Sequence, residues 1–174
     1  MTHLITGAAR SGKSRYAEQL AIKHAGPVRY VATAEIRDAE FAERVRQHRL
    51  QRPAHWQVLE AERSLAELIL GQDQEDGLLL VDCLGMWLMR FFRSDDQFDE
   101  MDFVQERQWL LEAIDAVQGQ LLLVSNEIGW GVMPMSRVAR QYGDLLGRLN
   151  QDIAAHCQRV TLIACGLPLV LKST

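Results

Sequence analysis

Gly7, Gly12, Lys13 and Ser14 stand in the frame G-x-x-x-x-G-K-[ST], with Ala8, Ala9, Arg10 and Ser11 between the glycines. The glycines let the backbone turn back on itself, so that successive N–H groups face one hollow where phosphate oxygens can sit. Lys13 would reach the β- and γ-phosphates of a nucleotide as a point charge, and the Ser14 hydroxyl is placed to coordinate Mg²⁺. A helix starting at this point adds its positive end. The chemistry these residue types support is nucleotide binding.

Three further groups could complete such a site. Asp82 closes the apolar run Leu78-Leu79-Leu80-Val81, as expected of a buried strand that delivers a carboxylate to a magnesium ion through its water shell. Asn126 and Glu127 follow the run Leu121-Leu122-Leu123-Val124-Ser125 in a glycine-containing stretch that reads either as a surface loop or as a substrate loop facing the phosphates. Thr33 and Glu35 follow a short strand pattern and are placed to see the nucleotide, or else form a simple strand-end turn.

His48 offers different chemistry. It continues an apolar stripe with Phe41 and Val45 and is flanked by Arg44, Arg46, Arg49 and Arg52. Spacing alone admits a solvated basic helix with a half-buried histidine. The sharper reading is a nucleophile whose neutral imidazole attacks a nucleoside α-phosphate while the guanidinium groups neutralise the oxygens.

The elements that must position these groups alternate regularly. Apolar runs predict strands at 3–6, 28–32, 77–82, 119–125 and 159–164, with a short extended segment at 55–60. Helical spacing predicts helices at 15–24, 39–50, 65–70, 101–117 and 136–156, the last carrying Arg137, Arg140 and Arg148 with Asp144 and Asn150 between them. Residues 84–92 are apolar on too many sides for a surface helix, so they belong to a core or an interface. A polar, mobile loop is expected at 93–99, and Gly166-Leu167-Pro168 breaks the chain before an apolar tail at 169–171. Strand–helix alternation without repeats or linkers makes residues 1–174 one α/β domain with a mostly parallel sheet.

The bulk composition fits: 174 residues, 48% hydrophobic and 24% charged, describe one soluble core. No run is long enough for a membrane span, the phosphate loop comes too early for a signal peptide, and the expected compartment is the cytoplasm. A net charge of −4 argues against a nucleic-acid surface. Cys83, Cys157 and Cys165 lack metal-ligand spacing and are expected to be buried thiols.

The chain resembles, nearly end to end, the bifunctional adenosylcobinamide kinase / adenosylcobinamide-phosphate guanylyltransferase family. The marks are Thr6 to Arg15 around the loop, Tyr30-Val31-Ala32-Thr33-Ala34, Arg44-Val45 with His48, Arg52-Pro53, Trp56 with Glu60, Leu80-Val81-Asp82-Cys83, Asn126-Glu127-Ile128-Gly129 with Gly131 and Pro134, and Gly166-Leu167-Pro168. The resemblance implies a RecA-like P-loop NTPase fold and a homotrimer. It implies phosphorylation of adenosylcobinamide by ATP or GTP, then transfer of GMP from GTP through His48 to the phosphate. It also implies that Thr33, Ala34, Arg49, Leu50, Gln51, Arg52 and Glu60 lie near guanine nucleotide, and Asp82 near the metal.

Three positions depart from the family pattern. Ala8 stands where a second glycine is common, which is tolerable while its φ stays negative. Gly85 and Arg90 stand where the family often places Thr and Asn, which bears on substrate or metal contacts there. Two other functions fit the residues without the resemblance: a monofunctional small-molecule kinase, and a GTP-binding regulatory module that transfers nothing.

Overall fold

The computed structural model describes residues 1–35, 53–93 and 97–174. Its elements run β1 (Thr2–Gly7), α1 (Lys13–Ile22), β2 (Val28–Ala32), β3 (Gln57–Glu60), α2 (Leu65–Gln72), β4 (Leu78–Asp82), α3 (Leu84–Met89), α4 (Glu100–Ala116), β5 (Gln120–Val124), α5 (Arg137–His156), β6 (Arg159–Ala164) and β7 (Leu167–Ser173). The helix predicted at 39–50 lies outside the described residues.

The strands form one sheet in the order β3-β2-β4-β5-β1-β6-β7. All neighbours are parallel except β6 and β7. β4 and β5 read as near-continuous apolar runs, and β1 is buried along its whole length, because both faces of these strands are covered. Alternate residues go to opposite sides: Ile5, Leu78, Leu80, Leu122 and Val124 pack against Ala17 and Ala21 of α1, whereas Leu4, Leu79, Val81, Leu121 and Leu123 join the core made with α2 to α5.

Register brings the strand ends to one edge. Asp82 pairs with both Ala32 and Val124, Val124 pairs with Ile5, and Gly7 pairs with Ile163. The connection after β1 leads across α1 to β2 on one side, and that after β5 leads through α5 to β6 on the other. Adjacent strands whose connections part in this way open a crevice at their carboxyl ends, the usual ligand position in such sheets.

Residues 84–92 are core. Trp87 and Phe91 are fully buried, edge-on to each other at 5.2 Å, and both pack against Phe103. The Trp87 indole N–H donates to the Arg63 carbonyl at 2.9 Å, which settles the polar end of an otherwise apolar cluster. The polar segment after it is anchored at its described ends: Phe98 packs on Phe92, and Asp99 receives Arg63 and Arg93 at 3.1 and 3.2 Å.

Two expectations are corrected. The break at Leu167-Pro168 is instead the start of β7, because Cys165 (φ 52) and Gly166 (φ 78) both take left-handed backbone and make a tight hairpin. Pro168 is tolerated there because β7 is an edge strand. The same hairpin exposes Cys165, while Cys83 and Cys157 are buried as expected.

Candidate functional site

β1 runs directly into the phosphate loop. The Ser11 N–H donates to the Ala8 carbonyl at 3.1 Å, and the Lys13 ammonium folds back onto the same carbonyl at 3.3 Å. Arg10 (φ 58) and Gly12 (φ 95) adopt left-handed backbone, and Gly12 opens α1. At Gly12 that conformation suits a residue without Cβ. Ala8 does not take a positive φ, so its replacement of a glycine leaves the turn intact. The β6–β7 turn braces the loop: Gly166 N–H donates to the Ser11 carbonyl at 2.9 Å. Ser11 Oγ is buried with no partner among the described residues.

On the other side of β5, Asp82 ends β4. The Tyr30 hydroxyl donates to its Oδ2 at 3.0 Å. A single hydroxyl ties down the next residue: Thr33 Oγ1 donates to the Cys83 carbonyl and accepts the Cys83 N–H, both at 2.7 Å. Burial pushes the Cys83 thiol up to about 12, with the Asp82 charge acting in the same direction. This thiol is therefore packing, not a nucleophile. Thr33 is wholly buried, which makes it a strut between β2 and β4. Ala34 and Glu35 follow it, and Glu60 sits beside Ala32 in the β2–β3 register, exposed at the same edge.

Arg90 and Gly85 both have structural accounts here. Arg90 Nε donates to the Thr33 carbonyl at 3.0 Å and so caps the end of β2. At Gly85 the space for a side chain is taken: a Cβ would stand 2.8 Å from the Tyr142 hydroxyl and 3.2 Å from Asn126 Nδ2. The Tyr142 hydroxyl donates to the Gly85 carbonyl at 3.1 Å, and burial raises its pKa.

Between the two carboxyl ends lies the Ser125-Asn126-Glu127 segment. Its start is no free surface loop. Ser125 N–H donates to Ile5 O and Glu127 N–H to Gly7 O, at 2.9 and 3.0 Å. Thr6 Oγ1 donates to Glu127 Oε1 at 2.8 Å. Asn150, buried on α5, accepts the Ser125 hydroxyl at 2.5 Å and donates its amide to Asn126 O (3.0 Å) and Glu127 Oε1 (3.2 Å). From Ile128 to Met135 the segment turns outward, with Trp130, Val132 and Met135 exposed.

The structure thus brings Gly7 to Ser14, Thr33, Asp82, Asn126 and Glu127 to one edge, with Glu60 at its far end. His48, Arg49, Leu50, Gln51 and Arg52 lie outside the described residues. Asn150, Thr6, Tyr30 and Tyr142 were not singled out from the sequence as site-forming. For Asn150 the signal was present: it falls on the apolar stripe of Leu146, Leu149 and Ile153, where a polar residue needs a partner.

A hydroxyl at Ser14 and a carboxylate at Asp82, of which only Oδ2 meets Tyr30, are hard oxygen donors suited to Mg²⁺. No cluster of three or more His, Cys, Asp or Glu is found among the described residues.

Comparisons with known proteins agree with this geometry. Among solved structures, the P4 protein of bacteriophage phi6, in complex with ADP, matches with TM-score 0.50 at 14% identity, over 97% of this chain and 53% of that one. An ATPase of a bacterial type III secretion system matches with TM-score 0.53 at 12% identity, over 97% and 56%. These share the fold of this chain. The bifunctional adenosylcobalamin biosynthesis protein CobP of Pseudomonas aeruginosa is 45% identical over 99% of this chain and 98% of its own. CobU of Escherichia coli, of the same description, is 37% identical over 99% and 100%. The family model described as cobinamide kinase / cobinamide phosphate guanyltransferase matches residues 3–171, and with relatives matched end to end, the chain belongs to that family.

Proposed function

We propose that this cobinamide kinase / cobinamide phosphate guanyltransferase acts on adenosylcobinamide in two steps and carries the transferred guanylate on His48. In the first step ATP or GTP phosphorylates an alcohol of the corrinoid. In the second, His48 attacks the α-phosphorus of GTP, the bond to the β-phosphate breaks, and pyrophosphate leaves. The corrinoid phosphate then attacks the same phosphorus and frees the imidazole, giving adenosylcobinamide-GDP. Splitting the transfer lets each displacement place one attacking group in line at a time.

The observation that carries the reading is the meeting of the phosphate loop, Asp82 and the Asn126-Glu127 segment at one sheet edge. Lys13 and the loop N–H groups take the phosphate charge. Mg²⁺, held by Ser14 and through water by Asp82, would supply further charge neutralisation when bound. Ala34, Glu35 and Glu60 are assigned to the guanine nucleotide together with Arg49 to Arg52, which lie outside the described residues; Thr33, buried, braces that side from within, and Asn126 and Glu127 are assigned to the corrinoid alcohol.

The working form we propose is a cytoplasmic homotrimer of one-domain subunits. Supporting it are exposed apolar residues on two segments, Trp130, Val132 and Met135 on one and Leu167, Leu169 and Leu171 on the other.

The test is the intact mass after incubation with Mg-GTP, beside His48→Ala. A gain of one GMP, lost in acid and absent from the variant, is the expected result. Active, GTP-binding protein without an adduct would move the assignment to a monofunctional kinase.

A further inference from the structure

We propose that Glu127 is the catalytic proton acceptor of the kinase step, held for that task by Thr6 and Asn150. Phosphorylation of an alcohol has to dispose of the hydroxyl proton as its oxygen attacks the γ-phosphorus, and a carboxylate within reach of that hydroxyl does so in other kinases.

The carboxylate of Glu127 is set up asymmetrically. Both side-chain donors, Thr6 Oγ1 at 2.8 Å and Asn150 Nδ2 at 3.2 Å, go to Oε1. Oε2 has no hydrogen-bond partner among the described residues, so it remains the acceptor for a proton. The Asn150 amide cannot turn over without losing its bonds. Its Oδ1 takes the Ser125 hydroxyl at 2.5 Å, which leaves the NH₂ group for Asn126 O and Glu127 Oε1. Thr6 is the residue before Gly7, and Glu127 N–H is bonded to Gly7 O at 3.0 Å. The carboxylate is therefore fixed to the backbone that begins the phosphate loop, the arrangement a positioned base requires.

The other carboxylates at this edge are differently placed. Asp82 has one oxygen on Tyr30 and is the metal-side acid. Glu35 and Glu60 are exposed beyond β2, across β4 and β5 from the loop.

The step balances within the established reactants. The alcohol oxygen bonds to the γ-phosphorus as the bridge to the β-phosphate breaks, the bonding pair stays on the departing nucleoside diphosphate, and the alcohol proton passes to Glu127 Oε2. Asn150 and Thr6 are positioning residues.

The two activities of one chain supply the test. Glu127→Gln keeps the Oε1 acceptor and the shape of the side chain but cannot take up a proton. With ATP and adenosylcobinamide, its kinase kcat should fall by at least ~100-fold, the range for a lost general base, with KM nearly unchanged. With GTP and adenosylcobinamide phosphate, the same sample should lose far less GMP transfer than kinase activity, because the corrinoid phosphate has no alcohol proton to give up, and an unchanged melting temperature shows that the variant is folded. Asn150→Ala, which leaves the carboxylate and removes one of its holders, should lose about tenfold in kinase kcat only. Kinase kcat retained in Glu127→Gln, or equal loss of both activities, would overturn the assignment.

Discussion

The hydroxyl oxygen of Tyr142 stands 2.8 Å from the point a Cβ on Gly85 would occupy, and it donates to the Gly85 carbonyl at 3.1 Å. A tyrosine on α5 thus fills the volume of a side chain on α3. Phe92, edge-on at 6.0 Å and 61°, holds the ring from one side, so the phenol has little freedom to withdraw. Gly85→Ala should therefore lower kcat/KM for the corrinoid about tenfold by pushing on the phenol and on Asn126 Nδ2, which lies 3.2 Å from the same point. Tyr142→Phe alone removes one hydrogen bond and should lower stability by about 1 kcal/mol. Gly85→Ala/Tyr142→Phe should recover most of the lost activity, a coupling of at least ~1 kcal/mol in a double-mutant cycle. Additive effects would show that the two residues do not compete for this space.

Glycines in this chain differ sharply in what a methyl group would meet. At Gly7 a Cβ would lie 2.5 Å from the Ile163 carbonyl oxygen and 2.6 Å from Ser11 Oγ. The carbonyl belongs to β6, which is paired with β1 at this residue, and it cannot yield. Gly7→Ala should weaken ATP binding at least ~10-fold in equilibrium titration, because the phosphate loop must shift as a unit. Gly147, in the middle of α5, has nothing within 4 Å of its Cβ position. Gly147→Ala should bind ATP normally and gain about 0.5–1 kcal/mol in denaturant unfolding from helix propensity.

The difference between these positions also marks how far the sequence could be read. The loop from Gly7 to Ser14, the apolar runs ending at Asp82 and Val124, and the long helix starting at Ser136 are local patterns, and they became elements within two residues of their expected bounds. Thr6 with Glu127, and Gly85 with Tyr142, are far apart in the chain. Only the sheet order and the crossing of α5 bring them together. β7 was hidden for another reason. Pro168 argues against a strand unless the strand is known to be an edge, and edge position is a property of the assembled sheet.

His3 should make the protein acid-sensitive in a defined window. Its ring is buried in β1 with Nε2 2.8 Å from Thr161 Oγ1, and burial, with Arg159 nearby, lowers its pKa from 6.5 to about 4. A histidine held neutral in the folded state leaves stability intact above the unfolded value. Protons then favour the unfolded chain as pH falls from 6.5 through 4, for a full loss on the order of 3 kcal/mol. His3→Gln removes this titration. Its unfolding free energy should be flatter than wild type between pH 6.5 and 4, measured by urea unfolding, and parallel slopes would assign the acid lability to other groups.

Glu106 should act in the opposite direction. It is 9% exposed, its Oε1 accepts Ser64 Oγ at 3.2 Å, and its Oε2 is buried with no partner among the described residues. Burial raises its pKa above the usual glutamate value, and the charges of Asp102 and Glu67 push the same way, against the hydrogen bond from Ser64 and the Arg63 charge. Such a group binds its proton more tightly when folded. It leaves stability intact below the unfolded value, and stability falls as pH rises through the folded pKa. Glu106→Gln keeps an acceptor for Ser64 and has no charge to bury. The variant should melt above wild type at pH 8 and level with it near pH 4. A variant that melts lower at pH 8 would mean that the Glu106 carboxylate is stabilised by its surroundings in the folded chain, contrary to the unpartnered Oε2.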